Sequence, residues 1–264
     1  MKRILMTAFL VLFATKAGAQ LLMEESRVQL TVTPGETVVD GMNIHNTGQQ
    51  DVDIRVYWQD FEYVPPYTGK KNFTPPGTSK YSMGEWVTYS PQVLTVPAQG
   101  KREIRYTIKV PEDATGGHYG VLFFERSLSA SPQNTGVNII TRLGSLFYLE
   151  TVDSDKSAVV DEVRVQDEFI RGRFANEGDV FLFPRGVYYL VDNDGVPADR
   201  GEIDTMYVMP DTAAEFSVVL DGALAVGDYT MVITFDLGGG ESVTKEIDLT
   251  KFNTGQYQIR QVRD

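Results

Sequence analysis

From residue 26 onward the chain reads as short runs of alternating apolar and polar residues, separated by turn-forming clusters. Arg27–Thr33 (RVQLTVT) sets the pattern, with Val28, Leu30 and Val32 on one face and Gln29 and Thr31 on the other, as a half-buried strand requires. Comparable runs cover Glu36–His45, Asp51–Glu62, Trp86–Ser90, Val93–Val96, Lys101–Val110 and His118–Arg126. The longest is Val137–Thr151 (VNIITRLGSLFYLET), which follows the Ser/Pro/Asn-rich loop 127–136 and places Val137, Ile139, Thr141 and Leu143 on one face. Past Thr151 the composition turns to Asp, Ser and Lys, and a second series begins. It comprises Val159–Gln166, Phe169–Ala175, Phe181–Val191, Glu202–Met209, Ala214–Leu220, a run opened by Gly227-Asp228-Tyr229, and Ser242–Leu249. Pro184 makes Phe181–Val191 an edge strand or a bulged one. From Lys251 the alternation is lost and no element is predicted.

Almost nothing after residue 20 has helical periodicity, so the pattern predicts an all-β protein built from sandwiches. Landmarks repeat between its halves. Asn46-Thr47-Gly48 is echoed by Asn176-Glu177-Gly178, Pro97 by Pro210, and Gly117-His118-Tyr119 by Gly227-Asp228-Tyr229. A Tyr just inside a late strand after a Gly-bearing turn has the form of a tyrosine corner, which assigns that structural role to Tyr119 and Tyr229. The expected organisation is two immunoglobulin-like β-sandwiches in tandem, residues 24–152 and 156–250, with a tail at 251–264. One long irregular segment, Tyr63–Glu85, holds Pro65, Pro66, Pro75 and Pro76. A connection of that length inside a compact domain is either functional or mobile.

The first twenty residues change the picture of where the chain resides. Lys2 and Arg3 precede an apolar run, Ile4–Ala14, and Ala17-Gly18-Ala19 precedes Gln20. This is the pattern of a cleaved export signal over residues 1–19, its apolar run too short to span a bilayer. Its removal takes Lys2, Arg3 and Lys16 from 24 basic residues and nothing from 36 acidic ones, leaving 21 against 36 and a net charge of −15. That charge argues against nucleic acid and anionic lipid as partners. No later run is long enough for a membrane helix. The expected location is the periplasm or the cell exterior. There is no Cys, so two domains of this size must hold by their cores alone.

Candidate chemistry is sparse. The two histidines, His45 and His118, are far apart in sequence, too few for the usual zinc or nucleophile systems. No catalytic residue, metal ligand or cofactor is expected. Asp192-Asn193-Asp194-Gly195 lacks the first acid of a calcium loop and reads as a hairpin turn. The aromatics Tyr57, Trp58, Phe61, Tyr63, Tyr67, Phe73, Tyr81, Trp86 and Tyr89 gather around the Pro-rich segment. They divide between core packing and a stacking surface for sugar or peptide.

Ser26-Arg27-Val28, Val96-Pro97 with Lys101–Ile108, Val110-Pro111, and Arg142 with Leu146-Phe147-Tyr148 resemble the PapD-like periplasmic chaperones of pilus assembly. The segment WVTYSPQVLTVPAQGKREIRYTIKVPEDATGGHYGVLFFE also resembles the broader group of exported, chaperone-like immunoglobulin proteins. The resemblance implies a protein that lends the last strand of its first domain to a pilin-like exported subunit. It also implies a subunit carboxylate anchored by an Arg on the first strand and a Lys on the last. Arg27 matches the Arg, whereas Gly144 and Ser145 stand where the Lys is sought. The expected function is therefore a non-enzymatic, exported chaperone-like or scaffold protein that binds β-proteins by strand addition through Arg27, Val137, Ile139, Thr141 and Leu143. A structural or carbohydrate-binding surface module is the alternative.

Overall fold

The computed structural model describes residues 21–126 and 140–264, and none of these residues is helical. The export signal predicted for residues 1–19 and the loop 127–136 lie outside the described residues, as do Val137 and Ile139. In the first sandwich one sheet has the order β1 (Leu21–Met23), β3 (Thr37–Asn46), β8 (Lys101–Lys109), β6 (Val87–Ser90). The facing sheet has the order β2 (Arg27–Val32), β10 (Arg142–Thr151), β9 (Gly117–Arg126), β4 (Val52–Tyr63), β5 (Lys71–Thr74), and β7 (Val93–Val96) also pairs with β4. The predicted alternation supplies the filling. Met42 and Ile44, Ile104, Tyr106 and Ile108, Ile54, Val56 and Trp58, Leu122 and Phe124, and Phe147 and Leu149 meet between the sheets.

The second sandwich pairs a sheet of β11 (Ala158–Gln166), β12 (Phe169–Asn176) and β15 (Ala213–Val219) with a larger one. The larger sheet has the order β14 (Pro197–Ile203), β13 (Arg185–Asp192), β16 (Gly227–Gly238), β17 (Glu241–Lys251), β18 (Tyr257–Arg263). Three expectations are corrected here. The strand predicted from Phe181 starts only at Arg185, because Pro184 has no N–H to give a ladder; Leu182 instead makes one bridge to Val208. The Asp192–Gly195 turn, with Asp192 accepting from the N–H groups of Asp194 and Val196, closes a hairpin whose return strand is Pro197–Ile203, not Glu202–Met209. The tail is strand β18, paired with β17. Its alternation is weak because it is a mostly exposed edge, held by Arg263 on Asp248 and Glu246 and by Arg260 on Asp228.

The repeated Asn landmarks are the same device in both halves. Asn46 donates its amide to the carbonyls of Gln50 (2.7 Å) and Val96 (3.1 Å) and accepts from Gly48 N–H at 2.9 Å. Asn176 donates to Val180 (2.8 Å) and Val208 (3.0 Å) and accepts from Gly178 N–H at 3.0 Å. Each is 2% exposed; Asn176 satisfies three buried backbone groups, and Asn46 one buried and two part-buried ones, where water is wholly or partly excluded.

The tyrosine landmarks diverge. Tyr229 donates its hydroxyl to Ala225 carbonyl four residues upstream, at 2.8 Å. Tyr119 makes no such corner: its hydroxyl accepts from the N–H of Phe181, in the second sandwich, at 2.5 Å. The reason lies in β9, where Tyr119, Val121 and Phe123 face away from the first core yet are 5% exposed or less. They form a third core with Phe61, Tyr63, Tyr148 and Met209, against which Phe73, Tyr81, Phe181 and Tyr207 pack. The two sandwiches share it.

Segment 63–85 is folded into that shared core. Asp60, fully buried, accepts from the N–H groups of Thr78 (3.0 Å) and Ser79 (3.2 Å) and the hydroxyl of Ser82 (2.8 Å). Three donors on one carboxylate fix the loop. From there it grips the second sandwich: Tyr81 donates to Pro210 carbonyl at 2.9 Å, Lys80 pairs with Asp211 at 3.0 Å, and Tyr67 carbonyl accepts from Tyr207 N–H at 2.9 Å.

Two predictions follow from these contacts. Asn176→Ala strands three buried backbone groups and is expected to cost about 3 kcal/mol, and Asn46→Ala, which strands one buried and two part-buried groups, about 2 kcal/mol, both read from urea midpoints; a loss below about 1 kcal/mol would show the network is dispensable. Burial pushes the hydroxyls of Tyr63, Tyr106, Tyr119 and Tyr148 above the usual phenol range. A folded-state pKa above the unfolded one near 10 gives stability that is complete below pH ~10 and lost as pH rises through that value. Absorbance at 295 nm should show these four tyrosines ionising only as the protein unfolds. Free titration of all thirteen tyrosines near pH ~10 in folded protein would contradict the shared core.

Candidate partner-binding edge and interdomain cleft

Strand β10 is paired unequally on its two sides. Antiparallel β9 accompanies it from Arg142 to Glu150. Parallel β2 joins only at Leu146, which stands opposite Arg27. The first strand of the chain explains the difference. Leu21–Met23 lies on β3 in the other sheet, Glu24 N–H still bonds Asn43 there, and only at Ser26 does the chain reach β10, whose Leu146 N–H donates to Ser26 carbonyl at 3.0 Å. The crossing at residues 24–26 leaves the first four residues of β10 without a strand on that side among the described residues.

Backbone direction alternates along a strand, which identifies the open groups. Leu146 and Val152 donate toward β2, while Thr141 carbonyl accepts from Arg126 and Thr151 donates to Gly116 on the β9 side. Even-numbered residues therefore address the β2 side, and the unpaired N–H and C=O groups belong to Arg142 and Gly144. Of the residues singled out from sequence, Thr141 is exposed with its carbonyl turned toward β9, and Leu143 is half-buried against the first core. Their side chains border the open edge, whereas the backbone groups that address it lie on the even-numbered residues between and beyond them.

Arg27 sits where the open edge ends, at the mouth of a cleft of about 350 Å³ between the sandwiches, lined also by Tyr148, Lys156, Phe181, Phe183 and Arg185. Its guanidinium lies 5.2 Å from the Tyr148 ring centroid and 5.9 Å from that of Phe183. Tyr148 and Tyr63 share a hydroxyl–hydroxyl hydrogen bond of 2.7 Å. Lys71 places its ammonium 4.7 Å from the Tyr63 ring centroid. Burial, and then the charge of Arg27, push the Lys71 ammonium below the usual lysine range. Lys156 is neutralised by Glu150 at 2.9 Å, but Arg27 and Lys71 have no carboxylate partner among the described residues. The cleft lining sets Arg27, Lys156 and Arg185 against Glu150 and Asp236, with Lys71 outside the lining. Sequence reasoning found Arg27 and missed Lys71, which lies in the segment that gave no periodic signal.

The nine clustered aromatics pack largely into the cores. Trp58, Phe61 and Tyr63 are buried, and Tyr57, Tyr67, Phe73, Tyr81, Trp86 and Tyr89 each pack against one of the three cores. The histidines are likewise occupied: His45 bonds Glu24 at 2.5 Å, and His118 packs on Trp86 with ring centroids 4.1 Å apart. Among the described residues no group of three His, Asp or Glu side chains could hold a metal ion.

No family model matches the sequence, and no curated protein matches it. Solved structures do share its fold. One is a chain from a complex described as a chaperone–tip adhesin complex vital for synergistic activation of CFA/I fimbriae biogenesis, with TM-score 0.54 at 13% identity over 86% of this chain and 97% of that one. Another is the class 5 fimbriae chaperone CfaA, with TM-score 0.54 at 12% identity over 85% of this chain and 97% of that one. At such identities the likeness is one of architecture. The chain has the tandem immunoglobulin-like fold found in PapD-like fimbrial chaperones.

Proposed function

We propose that this protein is an exported, non-enzymatic chaperone-like protein that binds a β-rich exported subunit by strand addition at the open edge of β10. The observation that carries this reading is the unequal pairing of β10, complete on the β9 side and beginning only at Leu146 on the β2 side. An unpaired strand edge invites association unless something covers it, and an incoming strand gains backbone hydrogen bonds there while its alternate side chains find pockets. The similarity in fold to a fimbriae chaperone and to a chaperone–tip adhesin complex supports a subunit of a pilus or surface fibre as the partner. The periplasm is where such a meeting takes place, in keeping with the signal pattern at residues 1–19.

In this reading a strand added in line with β2 and running parallel to β10 ends against Arg27. Its carboxylate meets Arg27, and the charge of Lys71 beyond the Tyr63–Tyr148 pair adds to the attraction where Gly144 and Ser145 offer none. Thr141 and Leu143 contact the partner from the core side of the edge, together with Val137 and Ile139 of the same period-two row.

Arg142→Pro tests the edge, since proline is tolerated on an edge strand but removes an outward N–H. Arg142→Ala, which keeps that N–H, is the control. Loss of one such hydrogen bond is expected to weaken capture of an exported β-subunit by about fivefold relative to the control, with the melting midpoint little changed. A proline variant that captures subunit as well as the alanine variant would sink strand addition at this edge.

A further inference from the structure

One cation, Arg142, stands on the outer face beside the open edge. Side chains of even-numbered β10 residues lie on the face away from the first core, and at the edge these are Arg142 and Gly144. Arg142 lies flat, its guanidinium 4.0 Å from the Phe123 ring centroid and 5.5 Å from that of Phe73, with one nitrogen 3.3 Å from the Tyr57 hydroxyl. Glu125, opposite it on β9, is occupied by a hydrogen bond from Tyr57 at 2.8 Å. Arg142 makes no ion pair among the described residues, and residues 1–20 and 127–139 contain no acid that could provide one. Arg55, on the same face and 5.2 Å from the Tyr57 ring centroid, is also without one. In the second sandwich Arg164, Arg171, Arg173, Lys245, Arg260 and Arg263 are paired, whereas Arg185 and Arg200 make no ion pair among the described residues. Gly144, where a side chain would run into Phe123 and Val121 at 2.8–2.9 Å, contributes nothing that could shield Arg142 from a neighbouring strand.

We infer that the open edge selects strands carrying carboxylates on the face turned away from the core, with Arg142 as the specificity-determining residue. The inference rests on the strand-addition reading and names the partner chemistry for it. A strand laid along β10 places the residues opposite Arg142 and Gly144 on the same outer face as the guanidinium. Residues opposite one another on one face of a sheet interact directly, favourably for opposite charges and unfavourably for like ones. The guanidinium rests over β9, on the side of β10 away from the open edge, and meets an incoming carboxylate by swinging back over β10.

The test uses the full mature chain and two capped peptides of about eight residues, one alternating Val and Glu and the other Val and Lys. Acetylated and amidated ends remove any contribution from a terminal carboxylate. The Glu peptide is expected to bind about tenfold more tightly than the Lys peptide at low salt, and to protect the Gly144 amide from hydrogen exchange. Arg142→Glu should reverse the order, and Arg142→Gln should abolish it. The mature chain's net charge of −15 works the other way, so nonspecific attraction would favour the Lys peptide. Equal binding, or Lys preferred, with Gly144 protected in both cases, overturns the carboxylate selection and leaves strand addition standing. Failure of both peptides to protect Gly144 overturns the two together.

Discussion

Burial of strand β9 on both faces is the constraint from which the rest of the molecule is built. Leu122 and Phe124 fill the first sandwich, but Tyr119, Val121 and Phe123 point the other way and would expose a large apolar area if that sandwich stood alone. Phe181, Tyr207 and Met209 of the second sandwich, with Phe73 and Tyr81 of the insert, cover them. Interdomain contacts within a chain are often small and polar, and relative motion is then the default. Here the contact is aromatic, with Tyr63 stacked on Phe181 and Tyr207 at centroid distances of 5.0 and 4.7 Å. The angle between the sandwiches, and hence the shape of the Arg27 cleft, follows from packing.

The open edge of β10 has an equally local origin. An apolar segment, Leu21-Leu22-Met23, closes the β3 edge of one sheet, and the next strand closes part of the β10 edge of the other. One short chain segment cannot do both along their full lengths. The crossing residues Glu24, Glu25 and Ser26 are polar and Glu24 is fixed by hydrogen bonds to Asn43 and His45, so the crossing is anchored. Among the described residues β10 thus keeps an edge without a strand neighbour, of a kind that a monomeric sandwich would ordinarily protect.

Much of this was legible in the sequence where periodicity or a specific side-chain chemistry spoke. Period-two runs predicted β2 to β4 and β6 to β9 to within a residue or two, and the Asn-x-Gly echo marked matching networks in the two halves. What failed did so for physical reasons. Tyr119 matched the corner pattern, but the same Gly-x-Tyr spacing serves a hydroxyl that reaches another domain, and one sequence cannot distinguish the two. The apolar run Val121–Phe124 was legible as a strand but not as a doubly buried one. Segment 63–85 gave no signal because its order comes from one buried carboxylate, Asp60, and from contacts more than a hundred residues away. Lys71 was hidden there.

The placement of charge separates the site from the scaffold more clearly than the placement of apolar residues does. Cations that hold strands together are paired, as on β12 and β18, and such exposed pairs contribute little individually. Arg27, Lys71 and Arg142 instead lie against aromatic rings without acidic partners, in a chain with acids in excess. Cation–π contact holds a guanidinium or ammonium in position while leaving its charge available. A structural role would be served as well or better by pairing these groups with the abundant carboxylates nearby. Their isolation is economical only if carboxylate arrives from outside, along the stretch of β10 that lacks a strand neighbour among the described residues and into the cleft at its end.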